Sequence, residues 1–341
     1  MWNRPDGLTY KMDDNFSHNR VNLASAKFGA EAIYATDDYF ADKSRLIADN
    51  DPVFIEGKYD DNGKWMDGWE SRRKRIPGYD HCILKLAFPG CIYGLVIDTS
   101  HFTGNFPPFA SVDACNCEVG EPDESTAWVE VLAKTTLEGD SVSRHRILDD
   151  DIYTHIRLNI YPDGGVARLR VFGKVHCNWD LHDSSETCNL LSLENGGRAV
   201  VWNDAHFGHP VNMLGQGRGV NMGDGWETRR RREPGNDWCV LQLGHTGVVE
   251  RIELDTAHFK GNYPDRFSIQ AILDDQLSES DLIAQSGGWP VLLPEQKLSA
   301  DNIHEFIDAI SQHGPVSHIR LNIFPDGGVS RLRLFGKIHK R

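Results

Sequence analysis

The sequence predicts an all-β protein of two tandem β-sandwich domains, and three observations carry that expectation. At 341 residues the chain exceeds the usual single domain, it repeats itself once, and its apolar runs are short and bounded by turn residues. Two domains of roughly 150 residues are each large enough to bury a core.

The repeat is read directly by shifting the chain against itself. Gly68-Trp69-Glu70-Ser71-Arg72-Arg73 recurs as Gly225-Trp226-Glu227-Thr228-Arg229-Arg230, a shift of 157 positions. The same shift carries Asp80, Cys82 and Leu84 onto Asp237, Cys239 and Leu241, and Asp98-Thr99, His101-Phe102 and Gly104-Asn105 onto Asp255-Thr256, His258-Phe259 and Gly261-Asn262. Further on, 155–176 aligns with 318–339 at a shift of 163 with four differences in 22 positions, so the second copy carries six extra residues between these blocks. Upstream, Asn22, Ser25, Gly29, Asp37 and Phe40 match Asn189, Ser192, Gly196, Asp204 and Phe207 at a shift of 167. Two copies of such length indicate a domain duplication and not a solenoid. The expected domains are 1–180 and 181–341, with the polar stretch 178–186 as linker.

Within a copy, the strand signals come in order. Residues 82–86, 94–98, 155–160 and 168–172 are runs of about five, several alternating polar and apolar and flanked by Gly, Pro, Asn or Asp. Pro162-Asp163-Gly164-Gly165 and Pro325-Asp326-Gly327-Gly328 separate two such runs, and their turn chemistry predicts a hairpin in each copy. One helix is expected, over 299–310, with Ser299 as its cap. Many short strands and few helices indicate an antiparallel sandwich or jelly roll in each copy.

Composition narrows the function. A formal net charge of -14 disfavours nucleic acid as a partner, because phosphate contacts need a basic face. Clustered arginines could still hold a small anion, since charges beyond about 8 Å are screened. No apolar run nears a membrane span and no signal peptide or peroxisomal ending is visible, so a cytoplasmic protein is expected. Seven cysteines without a Cys-x-x-Cys pair read as reduced thiols. Fifteen histidines, nine tryptophans and broad apolar strands leave room for interfaces, and a homo-oligomer is expected.

The Gly-Trp-Glu-Ser/Thr-Arg-Arg block, the Asp-Thr-x-His-Phe-x-Gly-Asn-x-Pro block at Asp98 and Asp255, and the Arg-Leu-Asn-Ile-x-Pro-Asp-Gly-Gly-Val block at Arg157 and Arg320 resemble the allantoicase family over nearly the whole chain. The resemblance implies two tandem jelly-roll (galactose-binding-like) domains and hydrolysis of allantoate to ureidoglycolate and urea in purine degradation. It implies no particular catalytic mechanism.

Allantoate carries one carboxylate and two ureido groups on a single carbon. A site for it needs a cation, amide-like donors and acceptors, and groups that move a proton. Arg72, Arg73, Arg157, Arg229, Arg230 and Arg320 are candidates for the carboxylate, because a guanidinium can bind it through two parallel N–H bonds; some would instead be surface charges or partners of Glu70 and Glu227. Arg157 and Asn159 alternate with apolar Ile156 and Leu158, so both must project from the opposite strand face, and Arg320 and Asn322 repeat the pattern. His101 and His258, with Asp98, Asp255, Glu70 and Glu227, are candidates for acid–base work, or alternatively for bracing the adjoining turns. Asp-x-x-His could also contribute to a divalent metal site, with Glu70 or Glu227 as a further ligand; no cofactor is certain. Trp69 and Trp226 are expected to pack within their own sandwich. The two copies differ at Glu31 against Arg198, Asp38 against Ala205 and His81 against Trp238, which predicts unequal roles and favours the first copy for chemistry. A non-catalytic jelly-roll ligand-binding protein is the alternative from another class.

Overall fold

The computed structural model describes residues 16–117 and 119–340. The chain divides into two compact units, Met1–His176 and Cys177–Arg341, and each is a β-sandwich.

In the first unit the organising element is a single 19-residue strand, Asp80–Asp98, which serves both layers. Its first part pairs with Glu31–Ala35 on one side and Tyr153–Tyr161 on the other. From Tyr153–Tyr161 that layer continues to Phe109–Cys115 and then Val129–Thr136. Its second part, from Gly90 onward, pairs with Arg168–Val175 and Val142–Arg146, and Val21–Asn22 adds to the far edge. The sequence runs 82–86 and 94–98 are therefore two halves of one strand. Period-2 alternation places Leu84, Ile156, Leu158, Ile160, Val112, Leu95, Ile97 and Val171 inward, all fully buried. Each such side chain stabilises the fold by about 1.5–3 kcal/mol.

The second unit repeats this plan around Asp237–Asp255, with Val316–Phe324, Arg266–Ile272, Val291–Lys297 and Arg198–Trp202 in one layer. Arg331–Ile338, Cys188–Asn189 and Ile303–Phe306 complete the other. Trp69 and Trp226 lie fully buried in equivalent positions, and each indole N–H donates to a backbone carbonyl, that of Asp37 or Asp204, at 2.8 Å.

Two expectations are corrected. The strands on either side of Pro162-Asp163-Gly164-Gly165 do not pair with each other, so there is no hairpin; nor is there one in the second unit. Instead Gly165–Val166 pairs with Trp69–Glu70, and Gly328–Val329 with Trp226–Glu227. That pairing hands the chain across to the other layer. Gly164 and Gly327 make the corner with φ of 137° and 136°, and a Cβ there would meet backbone nitrogen of Pro107 or Pro264 at 2.7 or 2.8 Å. The helix expected over 299–310 is also absent: Ile303–Phe306 is a strand registered against Ile252–Asp255. Ser299 bonds His304 Nε2 through its backbone N–H, which fixes a turn where a cap was expected. The helix lies earlier, Glu279–Gln285, started by a capping box in which Ser278 and Asp281 satisfy each other's backbone N–H.

Candidate active site on the outer strand faces

The alternation that buries Ile156, Leu158 and Ile160 turns Arg157, Asn159 and Tyr161 to the opposite face of the same strand. Cross-strand register then fixes their neighbours. Asn159 lies directly between His81 and Ser111, and Arg157 between Ile83 and Asp113. Residues opposite one another in an antiparallel sheet share a face, so these side chains form one patch.

Its geometry centres on Asp113 Oδ2. That oxygen accepts from Arg157 Nη2 at 2.7 Å, Arg157 Nε at 3.1 Å and Asn159 Nδ2 at 2.9 Å. Asn159 Nδ2 also donates to Ser111 Oγ at 3.1 Å, and Ser111 Oγ lies 2.9 Å from the Tyr161 hydroxyl. Asn159 is 2% exposed, yet its Oδ1 is a buried acceptor with no partner. Leaving a buried acceptor unpaired costs about 1–3 kcal/mol. Trp128 stacks on the Arg157 guanidinium at 4.6 Å. His81, flanked by the rings of Tyr34 and Tyr79, is pulled below the ordinary imidazole range, first by burial and then by the Arg157 cation. It is thus neutral at physiological pH and able to accept a proton.

The second unit keeps the frame and changes the chemistry. Ser111, Asp113, Arg157, Asn159 and Tyr161 correspond to Ser268, Gln270, Arg320, Asn322 and Phe324, and His81 to Trp238. Asn322 Nδ2 donates to Gln270 Oε1 at 3.0 Å, and Asn322 Oδ1 accepts from Arg320 Nε at 2.8 Å. Burial lowers the Arg320 guanidinium to about 10, so it stays charged at neutral pH. Ser268, Gln270, Arg320, Asn322 and Phe324 line an open cavity of about 460 Å³ together with Asn236, Gly287 and Glu295.

The other candidates sit elsewhere, in turns and at strand ends: Glu70 and Glu227 close the short strands Trp69–Glu70 and Trp226–Glu227, and Asp98 and Asp255 are the last residues of the two long strands. His101 and His258 both have φ of 71°, donate their backbone N–H to Asp140 and Asp301, and place Nε2 against the carbonyls of Pro52 (3.2 Å) and Gly219 (2.7 Å). Asp98 Oδ1 accepts from Ser100 N at 2.7 Å, and Asp255, fully buried, accepts from Ala257 N at 2.8 Å and Arg218 Nε at 3.1 Å. Glu70, raised above the usual carboxylate range by burial, accepts from Asn105 Nδ2 at 2.7 Å; Glu227 is bonded likewise by Asn262. Arg72 and Arg229 are exposed and paired with Asp37 (2.6 Å) and Asp204 (3.2 Å); Arg73 and Arg230 are exposed. Asp98 and His101 therefore engage different partners, and among the described residues no three His, Cys, Asp or Glu side chains converge as metal ligands. Of the divergent positions, Asp38 is paired with Lys43 at 3.0 Å and Glu31 is exposed, while only His81 joins the patch.

Sequence reasoning placed Arg157, Asn159, Arg320 and Asn322 on a polar face, where they are, but missed Ser111, Asp113 and Tyr161 and their counterparts. A signal existed: the 157-position shift already lays Asp113 on Gln270, a loss of charge between copies.

Comparison with known proteins closes the question of family. The model of the allantoicase repeat matches residues 21–176 and 188–339. A protein of Photobacterium profundum described as a probable allantoicase is 58% identical over 316 residues, 93% of this chain and 96% of its own. A probable allantoicase 1 of Burkholderia mallei is 55% identical over 325 residues, 95% of this chain and 96% of its own. The crystal structure of allantoicase from Saccharomyces cerevisiae superposes with a TM-score of 0.79 at 34% identity, covering 96% of this chain and 98% of that one. With both halves matched by the repeat model and relatives more than half identical along nearly its full length, the chain belongs to the allantoicase family.

Proposed function

We propose that the outer face of the first repeat is where this protein hydrolyses allantoate to ureidoglycolate and urea. The observation that carries the placement is the unpartnered buried Oδ1 of Asn159, set in one patch with a carboxylate, a guanidinium and a neutral imidazole. A buried acceptor left without a partner in that setting suits the N–H groups of a ureido substituent. Arg157, already oriented by Asp113 and Trp128, faces the substrate carboxylate. His81 takes a proton from water as the oxygen bonds to the central carbon, and the carbon–nitrogen bond breaks. The proton is returned to the departing nitrogen, so that water and allantoate become ureidoglycolate and urea. His101, Asp98 and Glu70 and their counterparts act, on this reading, by holding the turns that seat the strands. A role restricted to ligand binding is not favoured, since relatives of this similarity are described as allantoicases.

Urea release from allantoate by the purified protein, with and without added divalent metal, tests the reaction. Release well above the uncatalysed rate is expected. No release in either condition contradicts it, and release only with metal would make the ion part of the site.

No helix among the described residues is long and apolar enough to cross a membrane. All seven cysteines are free thiols, which supports a reducing, cytoplasmic setting. Val53, Phe54 and Ile55 are consecutive and exposed, a pattern that supports a homo-oligomer. Light scattering should give a mass above that of one chain, and a strictly monomeric mass across micromolar concentrations refutes the oligomer.

A further inference from the structure

We propose that the cavity on the outer face of the second repeat is a separate binding site for a small ureido carboxylate, which it holds without hydrolysing. The first indication is charge. Arg157 in the first repeat is neutralised by Asp113, whereas Arg320 has no carboxylate within ion-pair distance among the described residues. Its Nε donates to Asn322 Oδ1 and an Nη to Ser286 Oγ, both at 2.8 Å, and its Cζ lies 4.1 Å from the centre of the Trp238 ring. Glu295, at the cavity edge, is bonded to Arg266 at 2.5 Å. A half-buried cation that the protein orients and leaves without counter-charge is completed by an anion.

The surroundings name the anion's class. Asn236, Gln270 and Asn322 supply amide groups beside the guanidinium, and Ser268 a hydroxyl. Such a lining pairs a carboxylate site with donors and acceptors for a ureido group, in a volume of about 460 Å³ that suits a molecule of allantoate's size.

The extra residues of the second copy point the same way. Asp140 and Asp301 are equivalent, each at positive φ and each accepting from the backbone of His101 or His258, and they lie 161 positions apart. Trp128 and Trp289 keep that offset, so four of the six extra residues of the second copy fall in the connection between 273 and 288. That connection carries the helix Glu279–Gln285 and delivers Ser286 to Arg320 and Gly287 to the cavity wall. The lengthened connection thus contributes Ser286 and Gly287 to the site.

The absence of turnover rests on the reading of the first repeat as the hydrolytic face. There His81, Asp113 and Tyr161 can exchange protons or carry charge; here Trp238, Gln270 and Phe324 cannot.

Calorimetric titration with ureidoacetate tests the proposal. This compound keeps the carboxylate and one ureido group but lacks the second ureido group that would leave as urea. Two molecules per chain are expected. Arg320→Gln should weaken one of the two sites about 10- to 100-fold, as expected for a lost charge-assisted pair, and Arg320→Lys should retain part of that affinity. Thermal melts verify that both variants fold. Titrating allantoate and ureidoglycolate into an Asp113→Asn background identifies substrate or product as the occupant, and binding of neither overturns the proposal. One site per chain, insensitive to Arg320→Gln, also overturns it and leaves the first-repeat assignment standing. If Arg320→Gln removes a site while Asp113→Asn keeps full turnover, the binding site stands and the assignment of the hydrolytic face falls.

Discussion

Replacing Arg168 by alanine is expected to destabilise the first repeat by about 3–5 kcal/mol, the usual cost of removing one partner of a buried ion pair. Arg168 is fully buried and its guanidinium is spoken for on every side. Nη2 meets Asp67 Oδ2 at 2.8 Å, Nη1 donates to the carbonyls of Arg45, Asp67 and Ala167, and Nε donates to that of Asn50. Truncation strands the Asp67 carboxylate and orphans loop carbonyls that approach from more than 100 positions away in sequence. Against a typical domain stability of about 5–15 kcal/mol, the loss takes much of the margin. Arg331 and Asp224 repeat the arrangement in the second unit, at 2.8 Å, so Arg331→Ala is a matched control that should act on that unit. Denaturant unfolding followed by tryptophan fluorescence reads the loss as a lower midpoint. A change below about 1 kcal/mol would mean that water replaces the guanidinium and that the loops do not depend on it.

The large features of the fold were legible because they rest on periodicity and repetition. Two-residue alternation around Arg157 and Asn159 correctly set them opposite the core, and the shift of 157 positions aligned the two long strands. The corner at Pro162 was not legible as a corner. Its turn residues are those of a hairpin, and what diverts the chain is pairing of Gly165–Val166 with Trp69–Glu70, nearly a hundred residues upstream. Likewise the segment 299–310 looked amphipathic, but its apolar residues serve a strand against Ile252–Asp255, with Ile303 and Ile307 left exposed.

The site was harder to read for a related reason. Strings repeated in both copies drew attention to His101, Asp98 and Glu70, and the structure places His101 in a turn and Asp98 and Glu70 at strand ends, in positions that both sandwiches share. A left-handed residue at a strand end constrains sequence as strongly as chemistry does. Asp113, by contrast, is a single polar residue in an ordinary strand. Its meaning comes from Arg157 and Asn159, 44 and 46 positions away, which register brings onto the same face. Divergence between the copies is the guide to the proposed patch: of the three differences read from the sequence only His81 against Trp238 falls in it, and Asp113 against Gln270 is a further one.

The steady-state rate of urea release by Asp113→Asn and His81→Gln, measured beside His101→Gln and with melting temperatures recorded for all three, tests the central claim most directly. Asparagine at 113 keeps the shape that orders Arg157 and Asn159 but removes the charge to which both bond. Glutamine at 81 keeps the hydrogen bonding of imidazole but cannot take a proton. If the first-repeat face carries the reaction, kcat falls by about 10²- to 10⁴-fold in both, with melting close to the parent. His101→Gln, which loosens the bond to the Pro52 carbonyl, should register chiefly as a lower melting temperature. Full turnover in Asp113→Asn and His81→Gln, with turnover lost in a folded His101→Gln, would contradict the account and move the chemistry to the turns.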